Sequence, residues 1–405
     1  MKIAMVSEHA SPLASLGHVD AGGQNVHVTA LATAMVDLGH SVTVYTRRDD
    51  PQLPEMVNMA CGVVVRHVDA GPPERVAKDA IYPHVAQFSD GLIQAWRFNR
   101  PAVVHSHFWM SGIAAIRAAG AYGLPTVHTY HALGAEKLRH QGAADTSPPV
   151  RILEEAKIAR RIDCIVATSA AELIELQRMG SRIGSICVIP CGVDSEQFSP
   201  NGVGEPRNPN VLRIATVSRL VPRKGVDTVI ESMTSLENAE LIVAGGGESA
   251  RIEDDAEVTR LSNLALRCGV SQRVSFRGPI EREGVAELLR SADIAVCTPW
   301  YEPFGIVALE AMACGVPVVA SAVGGLKDTV IDGITGFLVP PRSPQKLADA
   351  LRRLQTDARL RRTLGHAARK CAVTNYQWSK IALETLKVYR LSIDGKAQQR
   401  FAVVS

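Results

Sequence analysis

Short runs of β-branched and aliphatic residues alternate with longer stretches of helical periodicity along the whole chain. Strands are predicted at residues 3–7, 41–45, 63–68, 102–105, 126–129, 164–168 and 185–189, and helices at 25–38, 82–98, 150–161 and 170–179. The strand segments are nearly unbroken apolar runs, as expected where both faces of a parallel sheet are covered. Repeated strand–helix–strand units imply right-handed crossovers and a doubly wound α/β sheet.

The rhythm breaks at residues 200–209, where Pro, Gly and Asn cluster without an apolar period, so an interdomain linker is expected there. A second series follows, with strands at 212–218, 240–244, 273–276, 294–297 and 316–321 and helices at 226–236, 256–268, 282–290 and 306–313. The pattern predicts two α/β domains, 1–199 and 200–376, and a terminal segment, 377–405, with an amphipathic helix at 379–393. Two such domains would face each other across a cleft, and ligands bind at the carboxyl ends of parallel strands.

Composition narrows the class. The 405 residues are 46% hydrophobic and 21% charged, which suits a globular protein with sizeable cores. The net charge of +3 is too balanced for a nucleic-acid footprint. No run is long enough to span a membrane, and the N-terminus turns polar at Ser7-Glu8-His9 without the apolar stretch of a secretory signal. Eight scattered cysteines read as buried free thiols, so a cytoplasmic location is expected; Cys187 and Cys191 alone are close in sequence, too little for a metal. The arginines of the stretch 351–369 (352, 353, 359, 361 and 362) read as one solvated basic helix, with peripheral contact to anionic lipid as the alternative.

Three motifs sit where loops leave the strands. Gly22 and Gly23 open the first helix, letting backbone approach a ligand and offering free N–H groups to an anion; a plain tight turn is the competing reading. Arg219 and Lys224 straddle Pro222 after the first strand of the second domain, placed to neutralise a departing diphosphate, with Arg223 expected to be solvated. In the string Glu302-Pro303-Phe304-Gly305…Glu310, two carboxylates eight positions apart could grip two polyols. The Phe304 and Gly305 N–H groups at the helix start could hold further oxygens. Glu310 lies inside the apolar run 306–312, where a charge requires a partner. His105, His107, His128 and His131 end two strands; zinc is the weaker reading because no carboxylate or thiol completes a set, and a hydrogen bond from one histidine to a polar substrate is preferred.

With these residues assembled, the chain resembles the retaining GT-B glycosyltransferases of family 4 over nearly its whole length. The resemblance implies that Glu310 holds the donor's ribose and Glu302 the hydroxyls of the transferred sugar. It implies too that Arg219 and Lys224 hold the diphosphate with help from the Gly23 N–H, that His131 lies near the reacting sugar, and that the base is met near Arg277-Gly278. The terminal helix would return to the first domain. The segments 20–26 and 105–109 are most similar to the inositol-phosphate N-acetylglucosaminyltransferases of mycothiol synthesis and to the sucrose-phosphate synthases. Those branches imply an acceptor site at Asn25, Lys78, Phe108 and Arg151. Phe108 and Ala132 stand where the inositol-phosphate branch has a phosphate-binding tyrosine and threonine, which leaves the acceptor open, with an anionic one expected.

The expected reaction is retaining transfer of a sugar from a nucleotide-diphosphate donor (UDP favoured, GDP or ADP as alternatives) to a hydroxyl of a small acceptor. No Asp-x-Asp ends a strand and Glu253-Asp254-Asp255 borders a helical stretch, so no cofactor is expected to be required; Mg2+ would be tolerated rather than essential. Fixed positive charge and substrate alignment would lower the barrier. The expected partners are small molecules, with a homodimer compatible. The alternatives are a sugar-nucleotide epimerase or a phosphorylase on the same architecture, told apart by co-substrate demand, and a binding module that no longer turns over.

Overall fold

A computed structural model describes residues 1–13, 22–246 and 252–404. Asp20 and Ala21 of the glycine turn lie outside the described residues. By contacts the chain forms two units, one comprising the residues up to Pro190 together with those from Trp378 onward, the other Cys191–Gln377.

The first unit is an eight-stranded sheet in the order β3 (Met56–Asn58), β4 (Val64–Val68), β2 (Ser41–Arg47), β1 (Lys2–Val6), β5 (Val103–His107), β6 (Thr126–Thr129), β7 (Cys164–Ala167) and β8 (Ile186–Val188). All pairings are parallel except β3 on β4. Met5 is registered against Val44 on one side and His105 on the other. The second unit is a six-stranded parallel sheet: β11 (Val274–Gly278), β10 (Ala239–Ala244), β9 (Leu212–Val217), β12 (Ile294–Cys297), β13 (Val318–Ser321) and β14 (Gly336–Val339). Each order reverses once, between β1 and β5 and between β9 and β12. Beside such reversals the loops at the carboxyl ends diverge and leave room for a ligand.

Apolar strands and the inner faces of the helices build a separate core in each unit. Val6, Leu92, Trp96, Val104, Trp109 and Ile165 are buried together in the first, and Ile214, Val229, Leu241, Val243, Leu261 and Ile294 in the second. Each large apolar side chain so buried contributes roughly 1.5–3 kcal/mol. The last helix, Trp378–Val404, completes the first unit: Tyr389 is buried, with its hydroxyl 2.7 Å from His105 Nδ1.

Several expectations need correction. The segment read as a linker falls within the second unit by contacts, where Arg290 donates to the Ser199 and Val203 carbonyls and Arg207 pairs with Asp293 at 2.8 Å. The basic stretch is two helices, Pro344–Thr356 and Ala358–Asn375, because Asp357 accepts a hydrogen bond from the Leu360 N–H and starts the second. The cysteines are free, but only Cys191 and Cys314 are buried. Among the described residues no helix is long and apolar enough to cross a membrane.

Candidate active site

In the second unit, β9 ends at Val217 and the chain turns through Arg219 into a tight helical turn, Pro222–Lys224. Gly225 follows with φ +68°, and a Cβ there would collide with the Thr298 carbonyl oxygen, so only glycine lets the two loops close. The Thr298 hydroxyl donates to the Gly225 carbonyl at 2.9 Å and the Trp300 N–H to that of Arg223 at 2.8 Å. This seam brings Lys224 onto Glu302, whose Oε2 accepts a hydrogen bond from its Nζ. Burial pushes the Lys224 ammonium below the usual lysine range against the pull of Glu302. Burial also opposes ionisation of Glu302, but the charges of Lys224, Arg223 and Arg219 outweigh it and hold that carboxyl low. The contact has the geometry of an ion pair.

Arg219 is exposed at the carboxyl edge of β9. Arg223, expected to be solvated, instead lies with its guanidinium 5.2 Å from the Tyr301 ring centre, because the turn aims it at the aromatic loop. Gly305, at φ +90°, starts the helix Ile306–Ala313; a Cβ there would come within 2.6 Å of Leu326. Phe304 is buried beside it and Gly278 ends β11 at the same edge. Glu310, only 2% exposed, has Arg282 Nη2 2.7 Å from its Oε1. The approach is off the line a hydrogen bond requires, so Oε1 has an ionic partner and no hydrogen-bond donor. Burial raises the Glu310 carboxyl and Arg282 pulls it back.

In the first unit the helix Gly23–Asp37 begins beside the end of β1. The Gly22 N–H donates to Asn25 Oδ1 at 3.1 Å, and Asn25 Nδ2 to the Ser11 carbonyl at 3.0 Å, so the amide of Asn25 serves the turn itself. His107, at the end of β5, shares a 2.9 Å hydrogen bond between its Nδ1 and His131 Nε2. His27 joins them from the first helix, the three offering nitrogen atoms within 4.8 Å of one another. Burial, and then the neighbouring imidazoles, push His107 and His131 far below the usual histidine range, and burial takes His27 down to about 4. The three rings are neutral at physiological pH. Each then has one N–H and one bare nitrogen, and the bond between His107 and His131 uses one of each.

Phe108 follows β5 with φ +76°, a conformation rare for an aromatic residue. Its ring centre lies 5.5 Å from Lys78 Nζ and 4.9 Å from the Arg151 guanidinium, so two cations far apart in sequence meet at one ring. Arg151 is buried and already occupied: Nε donates to Glu155 at 2.7 Å, Nη1 to Ser147 at 3.1 Å and Nη2 to the Ala132 carbonyl at 2.8 Å.

Comparison with known proteins places this geometry. The family model described as Glycosyltransferase Family 4 matches residues 21–197, and that described as Glycosyl transferases group 1 matches 201–371. A D-inositol 3-phosphate glycosyltransferase of Kribbella flavida is 36% identical, with 98% of this chain and 97% of that one covered. This chain belongs to glycosyltransferase family 4. The similarly named protein of Streptomyces coelicolor is 34% identical, covering 97% and 92% of the two chains. Among solved structures, the sucrose-phosphate synthase of Thermosynechococcus elongatus superposes with a TM-score of 0.89 at 32% identity, over 97% of this chain and 99% of that one. An Anabaena protein in complex with UDP and glucose shares the fold, with a TM-score of 0.74 at 20% identity over 96% and 98%. The family 4 chain is therefore a GT-B enzyme of two parallel-sheet units.

Sequence reasoning missed Arg282, because nothing in a basic residue at a helix start marks it as the partner of Glu310. It also missed the pair at the end of β1, although the polar turn there was a signal. Glu8 is 2% exposed, its Oε1 lies 2.7 Å from His9 Nδ1, and it accepts a hydrogen bond from the Ser111 hydroxyl. The His9 and Phe108 rings meet in a T-shaped contact with their centres 4.9 Å apart.

Proposed function

We propose that this glycosyltransferase moves a sugar, with retention, from a nucleotide-diphosphate donor held by its second unit to a hydroxyl of a small phosphorylated acceptor held by its first. The observation that carries the donor assignment is the Lys224–Glu302 ion pair at the carboxyl edge of the second sheet, seated beside the start of the helix Ile306–Ala313. Lys224 and Arg219 stabilise the negative charge that grows on the leaving diphosphate. Glu302 accepts hydrogen bonds from hydroxyls of the transferred sugar, and Glu310 from the ribose. Gly22 and Gly23 add main-chain N–H groups at the positive end of their helix. UDP is the favoured carrier, and no divalent metal is needed because fixed cations do its work.

On the acceptor side, the meeting of Lys78 and Arg151 at Phe108 supports an anionic ligand. Lys78 is the half-buried cation that reaches it, while Arg151, engaged with Glu155 and Ser147, adds charge from behind. His131, at φ +61° and hydrogen-bonded to His107, is assigned to the reacting sugar, a role its fixed ring supports. The relatives' names direct the choice of acceptors to try, D-inositol 3-phosphate and sugar phosphates.

The test is a thermal-shift panel of UDP, GDP and ADP and their glucose and N-acetylglucosamine esters, with and without EDTA. Mass spectrometry with those acceptors follows. A nucleotide-dependent shift and a product heavier than the acceptor by one sugar are expected. Turnover without any acceptor, or only with inorganic phosphate, would instead select the epimerase or phosphorylase chemistry.

A further inference from the structure

Arg282 is the side chain that neither the motif nor the proposed chemistry uses, yet it reaches one of the two site carboxylates. It is the first residue of the helix Arg282–Ser291, where the helix presents its own positive end and a cation is electrostatically misplaced. The fold nevertheless holds it there on three sides. Its guanidinium lies 4.8 Å from the Phe198 ring centre, its Nε donates to Gln197 Oε1 at 3.4 Å, and Nη2 stands 2.7 Å from Glu310 Oε1. All three partners belong to the second unit.

Glu310 needs such a neighbour. It is 2% exposed on a helix whose other residues from Ala308 to Ala313 are buried and apolar. An isolated carboxylate there would take up a proton, and a carboxylic acid is a poorer and differently directed acceptor than a carboxylate. A cation 2.7 Å from one oxygen opposes that protonation and restrains that oxygen, which leaves Oε2 for another partner.

We infer that Arg282 is a positioning residue for nucleotide recognition: it anchors Oε1 of Glu310 so that Oε2 accepts the hydroxyls of the donor's ribose, and the enzyme's preference for ribonucleotides depends on it. This rests on the proposed role of Glu310 and adds to it a residue that never touches the ligand. Arg282 thus acts on which nucleotide is bound and leaves the diphosphate contacts to Arg219 and Lys224.

Calorimetric titration of the full-length protein with UDP, GDP and ADP, each against its 2′-deoxy and 3′-deoxy forms, separates the possibilities. The wild type should bind at least one ribonucleotide about tenfold or more tighter than a deoxy form, the scale of a charged hydrogen bond. In Arg282→Ala that ratio should collapse toward one, and in Arg282→Lys, which keeps the charge on a shorter reach, it should fall in between. The ratio is insensitive to the fraction of folded protein, and the lysine variant covers the case in which alanine does not fold. A ratio unchanged in either variant, with the wild type discriminating, would overturn the role of Arg282 and leave Glu310 as the ribose contact. A wild type blind to the ribose hydroxyls would instead remove the Glu310 assignment, and this inference with it.

Discussion

Lys224 and Glu302 are held together by loops that only a glycine at 225 allows to close, so the pair proposed to act on the donor is also structurally committed. Lys224→Ala should lower turnover by about a hundredfold or more, the usual effect of removing one preorganised charge from a developing anion. A rate within a few fold of wild type in a donor-saturated assay would contradict the diphosphate role. Glu172, at the start of the helix Ala170–Arg178, makes a second prediction. Its Oε2 accepts hydrogen bonds from the Thr168 N–H and hydroxyl, while Oε1 is buried without a partner. Burial raises this carboxyl to about 7. Between its unfolded value of 4.5 and that raised value the folded state keeps a proton that the unfolded state releases, so stability falls as pH rises through this window. The loss is about 3 kcal/mol when complete. Urea unfolding at pH 5 and pH 8 should show that slope in the wild type and a flatter profile in Glu172→Gln. At this scale the sequence is unevenly legible. Glu310 stands out because a charge in an apolar run demands an explanation, whereas Arg282 and His27 acquire their partners only through folding.

Elements were legible where their apolar runs were long. Strands β6 and β12 match the predicted limits, and others differ by a residue or two. The edge strand β3 and the four-residue β14 escape notice because pairing with a neighbour, rather than their own composition, makes them strands. The helix Trp109–Gly120 is hidden by its glycines, which lower intrinsic helicity while packing supplies the stability. The split basic helix shows the opposite error, since a continuous charge pattern concealed a cap. Asp357→Ala should therefore destabilise the second of those helices and lower the melting temperature by about 2–4 °C, without changing donor affinity. A loss of nucleotide binding in that variant would mean that the helix break matters to the site and not only to stability.

The sequence order of the whole molecule differs from its spatial order, and the boundary shows why. Composition marks the break at a Pro- and Gly-rich segment, while by contacts the second unit begins at Cys191, where bonds such as that from Arg290 to the Val203 carbonyl carry no sequence mark. Because the proposed donor site lies within Cys191–Gln377, a saturating nucleoside diphosphate should stabilise that unit selectively, by about 2.7 kcal/mol at a hundred times its Kd. Amide exchange should then slow around residues 219–225 and 302–310 more than in β1–β8; equal slowing throughout would place the site elsewhere. The terminal helix carries a further consequence. Tyr389 reaches His105 across 284 positions of chain, so the first sheet lacks a buried layer until the helix Trp378–Val404 is made. A chain halted at Gln377 would therefore hold every described residue of the second unit beside a first unit whose sheet is unsealed, with apolar surface exposed there.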